Sequence, residues 1–539
     1  MTEIVANQTP PILHGPTEKE KKYDRQLRLW AASGQAALES ANLLLVNSGP
    51  GVSGVEALKN LVLPGIGRFA IYDEATVGEA DLGVNFFLDQ SCLGKPRAQC
   101  VTSLLCELNP EVEGAWYPNA EDVTTLESTL ATSPLFTAIM YALPIAKDTL
   151  ALLEDYGRRN RTPLVAIHSA GFYSYFQISL PGAFPIVDTH PDETATTDLR
   201  LLQPWPELVE FASDMTKDID NLDNYEHGHL PFVTILLHYL EKWRETHGGA
   251  NPATYKEKIE FRTLVQKAAR TNIPEGGEEN FDEAAAAVLK TVVQPSLPSG
   301  LKKVFEHEPK KPIAEGSSFW IVAEAIKGFH AKHDCLPLRG SVPDMKAQSK
   351  VYVQLQNIYK AKARQDAAEV LETAQSIAPG RHFDAAEVEL FCKNAPFVKL
   401  INATEGDESE SNLGAADRLR EVTAQEFASD ENAELTLAPL SLLPIYLALK
   451  ATSHVASASA DEILADVAKT VPGANDQERV VQAAQEVARA EGGELHNIAA
   501  VTGGMVAQEL IKIITKQYIP VDNTCIFDGI ASRCQVLRL

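Results

Sequence analysis

The sequence is short of positive charge. Lysine and arginine total 48 against 73 aspartates and glutamates over 539 residues, so the formal charge is 48 − 73 = −25. Such a balance argues against a nucleic acid partner or an anionic membrane surface. Cysteine is also scarce and unpatterned. The seven cysteines (Cys92, Cys100, Cys106, Cys335, Cys392, Cys525 and Cys534) contain no C-x-x-C pair. That excludes a disulfide scaffold or zinc cluster and fits a reducing compartment. Long apolar runs are missing too. The most apolar stretch, Leu435 to Leu449, contains Pro439 and Pro444 and falls below the ~20 residues that a membrane-spanning helix needs. Met1 to Lys22 is polar and charged, without the apolar centre of a signal peptide. The expected setting is cytoplasmic and nuclear, with no membrane contact.

What remains is ordinary globular material. Apolar residues make up 45% and charged residues 22%, enough to bury sizeable cores, and at ~150 residues per domain the length suggests three to four domains. Thr17 and Glu20 form a capping-box pattern, after which Tyr23, Leu27 and Trp30 recur at helical spacing. A short second helix, roughly Gln35 to Ser40, leads into the apolar run Leu43 to Val46, which reads as a buried strand. Alternation follows, with helix Val55 to Leu63, strand Phe69 to Tyr72, helix Arg97 to Leu108 and strand Val112 to Tyr117. Strand Phe136 to Ala142, helix Lys147 to Tyr156 and strand Leu164 to Ile167 extend it. Strands alternating with helices predict an α/β, Rossmann-like domain with a doubly wound, mainly parallel sheet.

Beyond Phe172 to Leu180 the pattern turns helical, with examples at Phe232 to Glu245, Tyr255 to Ala269, Phe319 to Ala331 and Val351 to Glu372. Asn280 and Glu283 are spaced as a capping pair for a helix from Phe281. Residues 403–434 carry ten acids against Arg418 and Arg420 and read as a solvated face or loop. Helix His496 to Thr515 and an extended Tyr518 to Phe527 return to the character of the first part. The expected layout is therefore a sheet domain at 1–175, a mostly helical insertion at 176–485, and completion of the sheet domain at 486–539.

Gly49-Pro50-Gly51-Val52-Ser53-Gly54 is a G-x-G-x-x-G between strand and helix, and Asp73 ends the next strand nineteen residues later. Glycines there permit a tight turn and close backbone approach, the helix N-terminus favours phosphate, and an acid at that distance suits a ribose hydroxyl. Gly49, Gly51, Gly54 and Asp73 are thus candidate cofactor-binding residues. The alternative is a turn that only packs helix on sheet. No set of histidines and cysteines at ligand spacing suggests a metal site.

Lys22-Tyr23-Asp24-Arg25-Gln26-Leu27-Arg28-Leu29-Trp30 and Leu58 to Gly67 resemble the opening of enzymes that activate ubiquitin-like proteins, a superfamily that includes bacterial sulfur-carrier adenylyltransferases. The segments Asp188 to Asp192, Leu336 to Met345 and Gln508 to Gln517 resemble more closely the regulatory-subunit branch of heterodimeric neddylation activating enzymes. The resemblance runs from about Lys22 to Leu539. It implies an adenylation fold whose insertion corresponds to an inactive catalytic-cysteine domain. It also implies a catalytic subunit as obligate partner, a ubiquitin-like modifier as substrate, and a conjugating enzyme met indirectly.

Against the pattern of active members the chain departs at four places. Ala75 stands where a second acid follows Asp73, Asp81 to Phe86 lacks the expected arginine, Arg97 replaces a lysine that meets phosphate, and Pro144 replaces a strand-end aspartate. Adenylation needs magnesium on acids and cations around phosphates to offset repulsion between anions. The losses imply a vestigial nucleotide site, with ATP and magnesium used in the partner's site and no cofactor of this chain's own. The resemblance gives Arg25 one catalytic role, reaching in trans to the partner's ATP as an arginine finger does. Cys335 lacks the surroundings of an active cysteine and is expected to be structural, and His190 to make a loop hydrogen bond. Two other readings remain open: an NAD-dependent oxidoreductase built on the glycine turn, and a self-sufficient adenylating enzyme.

Overall fold

Thr17 and Glu20 form the capping box that their spacing predicts. Thr17 Oγ1 accepts from the Glu20 amide at 3.1 Å, and the Thr17 amide donates to Glu20 at 2.7 Å. The computed structural model describes residues 15, 17–119, 125–191, 198–271, 277–307, 312–401, 415–433 and 438–539. A first helical turn, Glu18–Lys22, precedes the helix Asp24–Glu39, which breaks at Trp30 and Ala31 into the two helices expected there. Trp30 is buried, and its side chain crosses the path of Gly34, where any Cβ would come within 2.7 Å of it.

Strands β1 (Asn42–Val46), β2 (Arg68–Tyr72), β3 (Glu113–Tyr117), β4 (Ala138–Ala142) and β5 (Leu164–Ala170) run parallel. Strand β6 (Tyr173–Ser179) turns back antiparallel on β5. Strand β7 (Phe184–Val187) carries the chain out of this unit, and β8 (Val398–Ile401) brings it back. Two C-terminal strands, β9 (Thr524–Asp528) and β10 (Arg533–Leu537), complete the sheet in the order β10-β9-β6-β5-β4-β1-β2-β3. Both faces are covered, so the strands read as continuous apolar runs rather than alternating ones. In β1, Leu43 and Leu45 enter one core while Leu44 and Val46 enter the other. Each such side chain contributes about 1.5–3 kcal/mol by leaving water.

Helices Val52–Val62, Arg97–Leu108 and His496–Thr515 cover the first face. His496–Thr515 is the one described helix long and apolar enough to cross a membrane, yet most of it is buried. It lies so close on Val52–Val62 that a Cβ on Gly503 would approach Ala57 N to 2.7 Å. The second face is covered by Lys147–Asn160 together with Leu443–Ala451, Ala460–Thr470 and Glu478–Arg489.

Those last three helices correct the expected layout. The compact units are 1–186 with 401–539, and 187–400, so the stretch 401–485, expected in the insertion, belongs with the sheet. Its apolar Leu443, Ile445, Tyr446 and Leu447 bury in the same core as Leu44 and Ile139. Pro444, which breaks the apolar run in sequence, sits in the first turn of its helix, where its missing N–H costs nothing. The acidic segment 403–434 lies partly outside the described residues, and its described part, 415–433, contains the helix Ala415–Glu431.

The second unit is helical. Its helices Phe232–Thr246, Tyr255–Lys267 and Glu279–Thr291 share one core, and Ser318–His333 with Ala385–Asn394 share another. The 29-residue helix Ser349–Ile377 spans both, contributing Leu355 and Tyr359 to the first and Val370 and Ala374 to the second. Asn280 does not cap. It lies inside Glu279–Thr291 and donates to the carbonyls of His227 (2.8 Å) and Leu230 (3.1 Å). Glu283 accepts from the Lys346 amide at 2.8 Å.

Candidate functional site: a glycine turn with its helix donors and acid already engaged

The chain leaves β1 at Val46 and turns through residues 47–51 into the helix Val52–Val62. Because β1 has β2 on one side and β4 on the other, this turn sits where strand order reverses, the place at which open α/β sheets receive ligands. Gly49 (φ +56°) and Gly51 (φ +63°) are left-handed, which suits glycine alone at little strain. A Cβ on Gly51 would collide with the Asn47 amide, and one on Gly54 would come within 2.7 Å of Leu45 Cδ1. All three glycines are therefore explained by the packing of the turn itself.

The backbone donors and the acid of the turn are engaged as well, while Asn47 Oδ1 and Ser53 Oγ are buried without a partner among the described residues. Val52 N and Ser53 N, the free donors of the helix N-terminus, both donate to Glu494 Oε2 at 2.5 and 3.2 Å. Glu494 is buried, and burial pushes its carboxyl up, against the opposing pull of the Ser53 and Val52 donors and of Arg97. Asp73 is 3% exposed. Its Oδ2 accepts from Arg97 Nε at 2.7 Å and Asn47 Nδ2 at 3.0 Å, and its Oδ1 from Arg97 Nη2 at 3.1 Å and the Ala75 amide at 3.0 Å. An ionised carboxylate has about four lone-pair sites, so four donors leave Asp73 no place for a ribose hydroxyl.

Arg97 is the hub. Its Nη1 donates to Asp81 Oδ1 at 2.9 Å and to the Pro50 carbonyl at 3.3 Å. Burial alone would lower its affinity for a proton, but Asp73 and Asp81 outweigh that and raise it. The forked guanidinium makes this possible, since a lysine at 97 would present a point charge rather than two parallel donors. The stretch Asp81 to Phe86, which lacks the expected arginine, thus receives one from Arg97. Pro144, the replacement at the strand end, packs on the turn: Ser48 Oγ donates to its carbonyl, and a Cβ on Gly49 would touch its Cδ at 3.4 Å. Glutamate on the helix N-terminus and a saturated Asp73 do not fit a nucleotide with its magnesium.

The ThiF family profile matches residues 23–539. Of the curated relatives, the Xenopus laevis NEDD8-activating enzyme E1 regulatory subunit is 34% identical, covering 97% of this chain and 99% of its own. The Arabidopsis thaliana NEDD8-activating enzyme E1 regulatory subunit AXR1 is 31% identical, with 97% of each chain covered. The chain belongs to the ThiF family. A solved structure of E. coli MccB is 16% identical over 33% of this chain and 51% of its own, with a TM-score of 0.26, too low to weigh here. Membership accounts for the α/β fold with its mostly parallel sheet.

Other candidates in this ThiF-family chain fall in different places. Arg25 lies exposed on Asp24–Glu39 and makes no ion pair with any described residue, whereas Arg28 is tied to Asp24 at 3.0 Å. Leu29, one turn from Arg25, is 52% exposed. Cys335 is buried, its sulfur accepts from Arg200 Nη1 at 2.9 Å, and burial pushes its thiol up. That is the reverse of what a nucleophilic cysteine needs. His190 shares a 2.8 Å hydrogen bond with Thr189 Oγ1 in a loop, while Asp192 of the same motif lies outside the described residues. Glu494 was invisible to motif reading because it lies 442 residues from Val52. Asn47, beside the motif, and Asp81, beyond the next strand, carried only a generic polar signal.

Proposed function

We propose that this chain is the regulatory, catalytically silent subunit of a heterodimeric enzyme that activates the ubiquitin-like modifier of the neddylation pathway. A catalytic subunit adenylates the modifier with ATP and magnesium and then takes it onto its own cysteine as a thioester. This chain binds no cofactor itself. It completes the partner's ATP site with Arg25, and it works in the cytoplasm and nucleus. The observation that carries the reading is the glycine turn whose donors are held by Glu494 and whose acid is saturated by Arg97, Asn47 and Ala75. The near full-length likeness to NEDD8-activating enzyme E1 regulatory subunits supports the pathway. The free guanidinium of Arg25 supports its role in trans.

Modifier-dependent ATP–pyrophosphate exchange tests it, measured with this chain alone, with the catalytic subunit alone, and with both. Exchange is expected only in the mixture, and Arg25→Ala should lower it by about a hundredfold or more, as for loss of a transition-state donor. Heterodimer formation should be unaffected by that substitution. Exchange by this chain alone would show a self-sufficient adenylating enzyme and overturn the proposal. Saturable NAD binding by the isolated chain would revive the oxidoreductase reading.

A further inference from the structure

The second unit contains a cavity of about 440 Å³ between the segment 338–342, the long helix Ser349–Ile377 and the helix Ala385–Asn394. Its volume falls in the range of small-molecule sites, about 300–1,000 Å³. Arg339, Lys360, Arg364 and Lys393 line it, against a single acid, Glu389. The formal lining charge is 4 − 1 = +3 in a chain whose total is −25, so the cavity is a local inversion that concentrates anions.

None of these four cations makes an ion pair or side-chain hydrogen bond with a described residue. Elsewhere on the same helix, Lys362 is paired with Asp366 at 2.9 Å. Asp366 is further engaged by the Leu338 amide, also at 2.9 Å, which pins the segment bearing Arg339 and withholds that carboxylate from the cavity. Gly340 (φ +77°) lets the segment approach closely, since a Cβ there would come within 2.7 Å of Ala363. Arg339 Cζ lies 5.2 Å from the centre of the Phe397 ring, and its Nε is buried without an acceptor. Burial lowers its guanidinium from the usual value. With no carboxylate on it among the described residues, the Arg339 guanidinium leaves its charge to the cavity it lines. Cys392, also at the wall, is buried and its thiol is pushed up to about 12, so the cavity offers charge rather than a nucleophile.

We propose that this cavity is a binding site for a small soluble polyanion of the phosphate-ester class, carrying two or more phosphate groups, with Arg339 as its forked anchor and Lys360, Arg364 and Lys393 around it. Guanidinium geometry matches phosphate oxygens in pairs, and the four cations, from three segments, line one open cavity of small-molecule size. The inference is independent of the reading of the glycine turn.

Isothermal titration of the full chain with inorganic pyrophosphate is the test, at low and at physiological salt, beside a phosphoserine peptide as the alternative source of the same group. Pyrophosphate is expected to bind at one site and to weaken with salt. Arg339→Gln should weaken it about tenfold or more, the scale of a lost charge-assisted hydrogen bond. Because Arg339 is partly buried, the double variant Lys360→Gln/Lys393→Gln, on exposed positions, is measured too and should weaken binding to a similar degree while the circular dichroism melt is unchanged. No saturable binding of pyrophosphate, binding of the peptide alone, or an affinity unchanged in both variants would overturn the site.

Discussion

The glycine turn of the first unit and the cationic cavity of the second treat charge in opposite ways. At the turn, each charged group has found a partner inside the protein: Arg97 joins Asp73 and Asp81, and Glu494 holds the helix N-terminus. Around the cavity, four cations are left without carboxylates, and one guanidinium nitrogen is buried with no acceptor. The turn carries the recognisable motif and the cavity carries none. Both regions keep buried polar atoms without partners, Asn47 Oδ1 and Ser53 Oγ at the turn and Arg339 Nε at the cavity, so it is unpaired charge, more than retention of a motif, that points to a ligand in this molecule.

The contrast is breakable by substitution. Removal of Arg97 should have the largest effect, because it strands two carboxylates, one of them 3% exposed. Arg97→Ala is expected to cost about 3–5 kcal/mol, as for breaking a buried pair from one side, read as a drop in the urea midpoint. A loss below about 1 kcal/mol would mean that the turn is not held by this pair.

Glu494 comes next. Glu494→Ala removes the acceptor of two helix donors and should cost about 1–2 kcal/mol. The sign of its pH dependence sharpens the test. Its folded carboxyl is raised by burial, so between the ordinary glutamate value and the raised one the folded state holds more protons than the unfolded state. Wild type should lose stability relative to Glu494→Gln as pH rises through that window, measured by parallel melts. The opposite slope would place the carboxylate in a charge-stabilised setting instead.

Asp81 is 14% exposed, and Asp81→Asn keeps an acceptor for Arg97, so a loss of about 1 kcal/mol is expected. The smallest effect belongs to the cavity. Lys360 is exposed and unpaired, and Lys360→Gln should change stability by no more than about 0.5 kcal/mol while weakening pyrophosphate binding. If Lys360→Gln destabilises the protein as Arg97→Ala does, the two regions do not differ as described.

Legibility in the sequence followed the range of the interactions concerned. Arg97–Leu108 and His496–Thr515 lie where their periodicity puts them, because a helix is written in neighbours three and four apart. The strands from β1 to β6 and the turn glycines were readable from equally local signals, short apolar runs and a glycine cluster. Periodicity says which face of a helix is apolar and nothing about which core receives it. The stretch 401–485 was accordingly expected in the insertion, whereas the helices Leu443–Ala451, Ala460–Thr470 and Glu478–Arg489 cover the sheet. Asn280 shows the same limit at one residue, with a capping pattern in sequence and a pair of long-range hydrogen bonds in the fold.

By itself the sequence determined the alternation of strand and helix, the placing of a glycine turn after β1 and an acid after β2, and the position of Arg25 on the first amphipathic helix. These depend on spacing along the chain. Tertiary structure decided that Glu494 would take the donors of the turn, that Arg97 would saturate Asp73, and that four cations from three segments would share one cavity. Hydrogen-bond valence and charge are settled by whichever groups the topology brings within about 3 Å, and those groups lie 24 residues apart for Arg97 and Asp73 and 442 apart for Glu494 and Val52.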